Sequence, residues 1–291
     1  QLPKIPRQNF IFEPEMRDVG PAIGLVSAII NKEDPNEPMA IVWSDHMVRD
    51  VRVFQKALRA AEKSILDGKS DFVFIGQKPR FANQNVGWIY CGEEIWKEDG
   101  LSLLEFKKLK YRPKLSQAED FFENPHYVWN LGYFVTTPAY LIEKFQRYAP
   151  QMYKDLDRIV ESDKFEKTLN EIYPRLEKIS FDDAILEKFS PSKISVISVD
   201  IGWSDIGAWE ALKEALSETD EENVTKGKVM VEDSRDSLVF NYTNQLTVGI
   251  DLSEMLVINT EDVVLVCPKS SVPKIKKLVD SLAGTPHEHL T

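Results

Sequence analysis

The sequence contains few residues that bind metals through sulfur or imidazole. Its 291 residues include two cysteines and four histidines, with no HExxH motif and no paired cysteine spacing. This scarcity excludes the common zinc motifs and a disulfide framework, and it favours two reduced thiols in the core. The residues are Cys91, Cys267, His46, His126, His287 and His289.

Basic residues and long apolar runs are also scarce. There are 36 lysines and arginines against 47 acids, a net charge of -11, which argues against a broad nucleic-acid surface. No apolar run is long enough to span a bilayer, and no signal peptide is recognisable. We therefore expect a cytoplasmic protein without nucleic-acid or membrane partners. An anionic substrate would need a metal ion or a few well-placed basic side chains.

Strand-like and helix-like segments alternate over the first two thirds of the chain. This pattern predicts an α/β fold with a mostly parallel sheet that is buried on both faces. The predicted strands are NFIFEP, PMAIVW, DFVFIG and KISVISVD. The predicted helices are PAIGLVSAIINKE, VFQKALRAAEKSILDG with Gly68 as its C-cap, and several segments within residues 138–190.

The sequence pattern changes after residue 218. Short strand-like runs follow, each bounded by Asn, Asp, Gly or Ser, and they are too irregular to be interpreted as repeats. They predict a small all-β domain of the barrel or β-helix type with a terminal helix. The predicted domains are therefore residues 1–218 and 223–291.

Two acids follow apolar strands closely. Asp45 and His46 come after PMAIVW, and Asp205 comes after SVISVDIGWS. Ligands in open α/β sheets bind beyond the carboxyl ends of the strands, so the two carboxylates could face each other across one crevice. Such a pair suits Mg²⁺ and suggests metal-assisted phosphoryl chemistry. The structural alternative is that Ser204 or Asp205 caps the next helix, and His46 is interpreted as an orienting or core residue.

Four further residues are candidates for binding. Asn130 lies in a Trp-Asn-x-Gly sequence, which indicates either a β-turn or a partner for a polyol. Gly87 marks either a bulge or a point where a ligand approaches the backbone. Glu13 and Arg17 precede a helix with Pro21 in its first turn, and the N-terminus of that helix could hold an anion or the edge of a base.

The order of the short motifs resembles that in mannose-1-phosphate guanylyltransferases, a family of sugar-nucleotide pyrophosphorylases. The likeness extends from residue 11 to residue 280, and eight motifs in one order are more specific than any single one. The motifs are EPEMRDVGPAI, VWSDHMV, NVGWIYCGE, WNLGYFV, SFDDAILEK, DIGWSDIGAWEAL, NVTKGKV and NTEDVVLV.

This resemblance implies a Rossmann-like nucleotide-diphospho-sugar transferase fold followed by a small β-helix-like domain. The implied reaction converts GTP and mannose 1-phosphate into GDP-mannose and pyrophosphate with the help of Mg²⁺, in a protein that can form a homodimer. Carried over by motif, the implied roles are catalysis and metal binding for Asp45 and Asp205, sugar binding for Gly87 and Asn130, and nucleotide binding for Glu13 and Arg17.

The chain departs from the family pattern at places that affect function. The family's N-terminal GGxGTRLWPLSR loop, which holds the nucleotide phosphates, has no counterpart here, and Tyr111 and Arg112 replace the Glu and Lys of FVEKP. We expect an upstream segment to carry that loop, and negligible turnover by this chain alone. The alternative hypotheses are a non-catalytic regulatory or assembly subunit and a transferase for another hexose 1-phosphate or nucleotide.

Overall fold

The computed structural model describes residues 4–205, 212–213, 216–217, 219 and 221–290. These residues form two compact units. The first contains the described residues up to Trp43 together with Asp50–Ile201, and the second contains Ser44–Arg49 and the described residues from Gly202 onward. The predicted boundary between residues 218 and 223 falls inside the second unit, and as a limit between domains it stays a prediction.

A six-stranded sheet forms the centre of the first unit. Its strands are β1 (Met39–Ile41), β3 (Phe72–Gln77), β4 (Gly87–Glu98), β5 (Leu101–Lys110), β6 (Tyr127–Thr136) and β7 (Ile194–Val199). The order is β1-β6-β3-β7-β5-β4, and β4 also pairs with β6. Four of the six strands run in one direction and β5 and β6 run in the other, although only β3 and β7 are parallel neighbours. The predicted α/β class with a mixed, mostly parallel sheet is confirmed in this sense of strand direction.

Helices cover the sheet of the first unit. They are α1 (Val19–Glu33), α2 (Val51–Leu66), α3 (Leu115–Glu123), α4 (Pro138–Tyr148), α5 (Pro150–Val160), α6 (Phe165–Ile172) and α7 (Phe181–Ala184). The two helices predicted first are confirmed as α1 and α2. Asp50 caps the start of α2 by accepting a hydrogen bond from Val53 N–H at 3.0 Å, and Gly68 follows its end with φ +68°.

The core of the first unit lies around β3. Every residue of this strand is buried, which requires cover on both faces of the sheet. Phe72 and Phe74 join one hydrophobic cluster with residues of α1, α4 and α5. The small residues Ala57, Ala60 and Ala61 let α2 pack closely against the sheet. Within the described residues, no helix is both long and apolar enough to cross a membrane.

The last residue of β3 fixes the chain that leaves β7. Gln77 is fully buried, and its Oε1 accepts a hydrogen bond from Ile201 N–H at 3.0 Å. Its Nε2 donates to Asp200 Oδ1 at 2.7 Å. A buried amide must satisfy both of its groups, so these bonds hold residues 200 and 201 at the end of the sheet.

The strand predicted from NFIFEP is wrong. A short 3₁₀ helix, Arg7–Asn9, opens this stretch, and Phe10 and Phe12 stack on each other with ring centroids 6.3 Å apart. A β-prone run forms a strand only where a neighbouring strand supplies hydrogen bonds, and the described part of the sheet offers it none.

The second unit contains a parallel β-helix. The strands of the second unit are β2 (Met47–Val48), β8 (Trp203–Ser204), β9 (Val224–Lys226), β10 (Val229–Glu232), β11 (Leu238–Asn241), β12 (Thr247–Ile250), β13 (Met255–Asn259) and β14 (Val264–Pro268), followed by the helix α8 (Pro273–Asp280). β10 pairs in parallel with β12, and β11 with β13, each residue meeting the one 18 positions later. The predicted all-β texture is confirmed. β11 also pairs in parallel with β9, 14 positions earlier, so successive turns differ in length.

The free cysteines fit the expectation of reduced thiols. Cys91 is buried in the first unit, and burial raises the pKa of its thiol to about 12. Cys267 lies on β14 in the second unit and is only partly buried.

A buried asparagine closes one turn of the β-helix. Asn241 Nδ2 donates to the carbonyl of Lys228 at 2.9 Å, and its Oδ1 accepts from Thr243 N–H at 2.9 Å and from Asn259 Nδ2 at 3.2 Å. Asn241 and Asn259 face each other in the register, so their side chains bridge successive turns.

Replacing this asparagine tests the β-helix. We expect Asn241→Leu to lower the free energy of unfolding by about 2–4 kcal/mol, because buried polar groups lose their partners. Chemical denaturation followed by circular dichroism measures the change. Asn244→Ala, at an exposed position in the loop that follows β11, is the control and should change stability by less than about 0.5 kcal/mol. Equal effects of the two substitutions would contradict the assigned role of Asn241.

Candidate active-site residues

A short antiparallel ribbon in the second unit brings together the two acids predicted as metal ligands. Met47 pairs with Ser204, and Val48 pairs with Trp203. Asp45 lies two positions before Met47, the first residue of β2, and Asp205 directly follows β8. Both carboxylates therefore lie at the same end of the ribbon. Asp45 is exposed and Asp205 is partly buried.

His46 directly follows Asp45 in the chain and has a fixed orientation. Its Nδ1 accepts a hydrogen bond from Trp203 Nε1 at 3.1 Å, so the neutral ring carries its proton on Nε2. Burial lowers the pKa of His46, while the charges of Asp45 and Asp205 act in the opposite direction. An orienting role of His46 stays a prediction.

The donor set at this end of the ribbon fits a magnesium site that is completed by substrate. Among the described residues, no group of three or more His, Cys, Asp or Glu side chains could hold a metal ion. Asp45 and Asp205 provide two hard oxygen donors, and Mg²⁺ commonly uses one or two carboxylates together with phosphate oxygens and water.

Gly202 allows the tight entry into β8. Its φ is +60°, and a Cβ at this position would lie 2.8 Å from the Cβ of Arg49, so a side chain would be both strained and crowded. The helix predicted after Asp205, and with it the capping role of Ser204 or Asp205, falls largely on residues 206–211, outside the described residues.

The first unit brings the two predicted sugar-binding residues together. Gly87 pairs with Asn130 where β4 meets β6, and Gly76 of β3 pairs with Asn130 on the other side. The register between β3 and β6 shifts at this point, which makes a bulge rather than the β-turn considered above. Gly132, with φ +72°, donates its N–H to Asn130 Oδ1 at 3.0 Å and so shapes the bulge.

Asp182 is a candidate functional residue that the sequence analysis missed. It lies in α7, and its Oδ1 accepts a hydrogen bond from Asn130 Nδ2 at 2.9 Å. Burial raises the pKa of Asp182 to about 6. The signal was present in the motif SFDDAILEK, but there Ser180 and Asp183 have the spacing of a helix cap, and Ser180 Oγ does accept from Asp183 N–H at 3.0 Å.

Glu13 and Arg17 are both held by protein contacts in the first unit. Glu13 accepts a hydrogen bond from the hydroxyl of Tyr173, and Arg17 donates to the carbonyl of Pro174. Arg17 also forms an ion pair with Glu15 at 2.9 Å. These contacts fasten the segment before α1 to the end of α6, and a role of the two residues in nucleotide binding stays a prediction.

Comparison with known proteins shows the family of the chain. The family model described as "Nucleotidyl transferase" matches residues 3–222. A mannose-1-phosphate guanylyltransferase of Escherichia coli is 27% identical over 280 residues, which cover 94% of this chain and 59% of that protein. One from Salmonella muenchen is 29% identical over 97% of this chain and 59% of its own length. The chain thus spans about three fifths of the curated relatives it matches.

A solved structure shares the fold. A Thermus thermophilus protein described as a "mannose-1-phosphate geranyltransferase" is 26% identical, with a TM-score of 0.79. The match covers 94% of this chain and 77% of that one.

The buried carboxyl of Asp182 predicts a specific pH dependence of stability. Its pKa is raised in the folded state, so the folded protein binds the proton more tightly than the unfolded chain does. Stability from this group is therefore fully present below the unfolded pKa of 3.8 and is lost as the pH rises to about 6. We expect Asp182→Asn to raise the free energy of unfolding at pH 7 by about 1–3 kcal/mol.

Denaturation of the wild type and Asp182→Asn at several pH values from 3.5 to 8 checks this. The difference between the two should grow between about pH 4 and 6 and stay constant above. Asp183→Asn, at the exposed neighbouring acid, should show no such growth. A constant difference across the range would contradict the raised pKa.

Proposed function

Because this chain belongs to the nucleotidyl transferase family, we propose that it forms part of an enzyme that makes GDP-mannose and pyrophosphate from GTP and mannose 1-phosphate. The names of the relatives support the substrates, and their alignment over nearly the whole chain supports the transfer to this protein. The observation that carries the proposal is the ribbon of β2 and β8, whose register brings Asp45 and Asp205 to the same end of it.

The proposed reaction is an in-line phosphoryl transfer. An oxygen of the sugar phosphate attacks the α-phosphorus of GTP, the bond from that phosphorus to the bridging oxygen breaks, and pyrophosphate leaves. Catalysis of such a step consists mostly of positioning and charge stabilisation. The net charge of -11 makes local charge compensation essential for two anionic substrates.

Asp45 and Asp205 are proposed to hold Mg²⁺, which when bound neutralises charge on the phosphates. Their location at one end of the ribbon lets two carboxylates share an ion and leaves its other positions to phosphate oxygens. Trp203 donates a hydrogen bond to His46, which fixes the residue next to Asp45.

Gly87 and Asn130 are proposed to bind the sugar. Gly87 has no side chain, so a hydroxyl group can approach the backbone of β4. Asn130 is 6% exposed and held in one orientation, and a fixed amide distinguishes hydroxyl positions better than a mobile one. On the nucleotide side, Glu13 and Arg17 are proposed to border the base, at the entry to α1.

Neutralising either acid tests the metal assignment. In the complete protein, we expect Asp45→Asn and Asp205→Asn each to lower Mg²⁺-dependent release of pyrophosphate from GTP and mannose 1-phosphate by at least about 100-fold. The reason is that an amide is a much weaker ligand for Mg²⁺ than a carboxylate. A coupled pyrophosphate assay over a range of Mg²⁺ concentrations gives both kcat and the metal requirement.

The matched control is Asp280→Asn, which removes one negative charge at an exposed position of α8 in the same unit. It should leave turnover unchanged. Near-normal turnover of Asp45→Asn or Asp205→Asn would refute the metal assignment. Absence of GDP-mannose formation by the complete wild-type protein, with turnover of another sugar phosphate, would refute the substrate.

A further inference from the structure

Asp182 borders the space in which the sugar is proposed to bind. Its Oδ1 accepts a hydrogen bond from Asn130 Nδ2 at 2.9 Å. The same oxygen lies 3.6 Å from the point that a Cβ on Gly87 would occupy, and Asn130 Nδ2 lies 3.3 Å from that point. The carboxylate, the amide and the glycine therefore surround one small space.

The hydrogen bonds of Asn130 determine what its amide can offer a ligand. Its Oδ1 accepts from Gly132 N–H, and one hydrogen of Nδ2 is donated to Asp182. These two bonds fix which end of the amide is oxygen and which is nitrogen. Within the described residues, the second hydrogen of Nδ2 is left for a ligand.

The charges around Asp182 do not explain it as half of an ion pair. Among the described residues, the charged groups that act on it most are Asp183 and Glu187, and both raise its pKa further. Burial raises the pKa of the Tyr111 phenol and the charge of Asp182 raises it further, while Arg112 acts in the opposite direction. Lys110, the last residue of β5, pairs with Glu187 at 3.0 Å.

We propose that Asp182 accepts a hydrogen bond from a hydroxyl group of the hexose 1-phosphate and thereby helps to determine which sugar is bound. This inference rests on the proposed function and assigns a specificity residue to it. Asp182 accepts from one hydroxyl while Asn130 Nδ2 donates to a neighbouring one. A sugar that lacks the accepted hydroxyl leaves a buried carboxylate without its partner, which is an effective way to reject it.

The substitution Asp182→Asn separates this role from a structural one. The new side chain has nearly the same volume, and its amide oxygen can still accept from Asn130 Nδ2, so the geometry of the bulge is retained. The charge is lost and one acceptor oxygen becomes an NH2 donor, and charged acceptors form stronger hydrogen bonds than neutral ones. Asp183→Asn removes the same charge one residue away, at an exposed position, and serves as the matched control.

Binding measurements on the complete protein provide the test. Isothermal titration calorimetry is carried out with GDP-mannose, with mannose 1-phosphate, and with the 2-, 3-, 4- and 6-deoxy forms of mannose 1-phosphate. We expect Asp182→Asn to raise the Kd for mannose 1-phosphate by about tenfold. For one of the deoxy forms the same substitution should change the Kd by less than about twofold, because the hydroxyl that Asp182 accepts is missing. Asp183→Asn should leave every Kd unchanged.

The outcomes distinguish the two proposals. Equal weakening of all the ligands by Asp182→Asn, or no weakening at all, would overturn the role of Asp182 and leave the proposed function intact. If the complete wild-type protein bound neither GDP-mannose nor any of the sugar phosphates, both proposals would be overturned. Circular dichroism and thermal unfolding of each variant confirm that it is folded before titration.

Discussion

Parallel pairing of β3 with β7 is the constraint on which the first unit depends. β3 is completely buried, so its position is fixed by packing on both faces and by hydrogen bonds along both edges. Its partner on the other edge, β6, carries Asn130 at the point where the register shifts. Its last residue, Gln77, holds the chain after β7. A change in the packing of this one strand would therefore move the bulge and the exit of β7 together.

The candidate sites contain features that do not favour folding. Gly132 and Gly202 adopt positive φ beside bulky neighbours, and Asp182 loses hydration while none of the described residues provides a cation that lowers its pKa. Each feature would be simpler to build with an ordinary residue if stability were the only requirement. Such local costs are tolerated where the surrounding structure is well packed, and they are concentrated at binding sites in many proteins.

Local patterns made the elements and the strand-end acids predictable. The helical period and the capping residues of α1 and α2 are encoded within each segment, and an acid after an apolar run marks a strand end. Pairings between distant segments were harder to predict. β2 and β8 contribute two residues each to their ribbon, which is too short to give a period in the sequence. The bulge at Asn130 depends on having β3 on one side and β4 on the other.

The parallel coiling of the second unit was hidden for a related reason. Its paired strands are separated by 14 residues in one turn and by 18 in the next, so no single period marks them in the sequence. Asp182 was missed because Ser180 and Asp183 have the spacing of a helix cap, and that cap alone was enough to explain the two adjacent acids. In both cases a local explanation was sufficient, and the additional role came from a partner far along the chain.

The coiling of the second unit has a consequence for how such a chain can evolve. β11 meets β9 at a spacing of 14 residues and β13 at a spacing of 18, so turns of different length keep their strands in parallel register. Inserting a single residue within a paired strand would instead turn that strand's side chains to the opposite face. The length of this part of the protein can therefore change in the segments that connect the strands, without any change in the paired strands themselves.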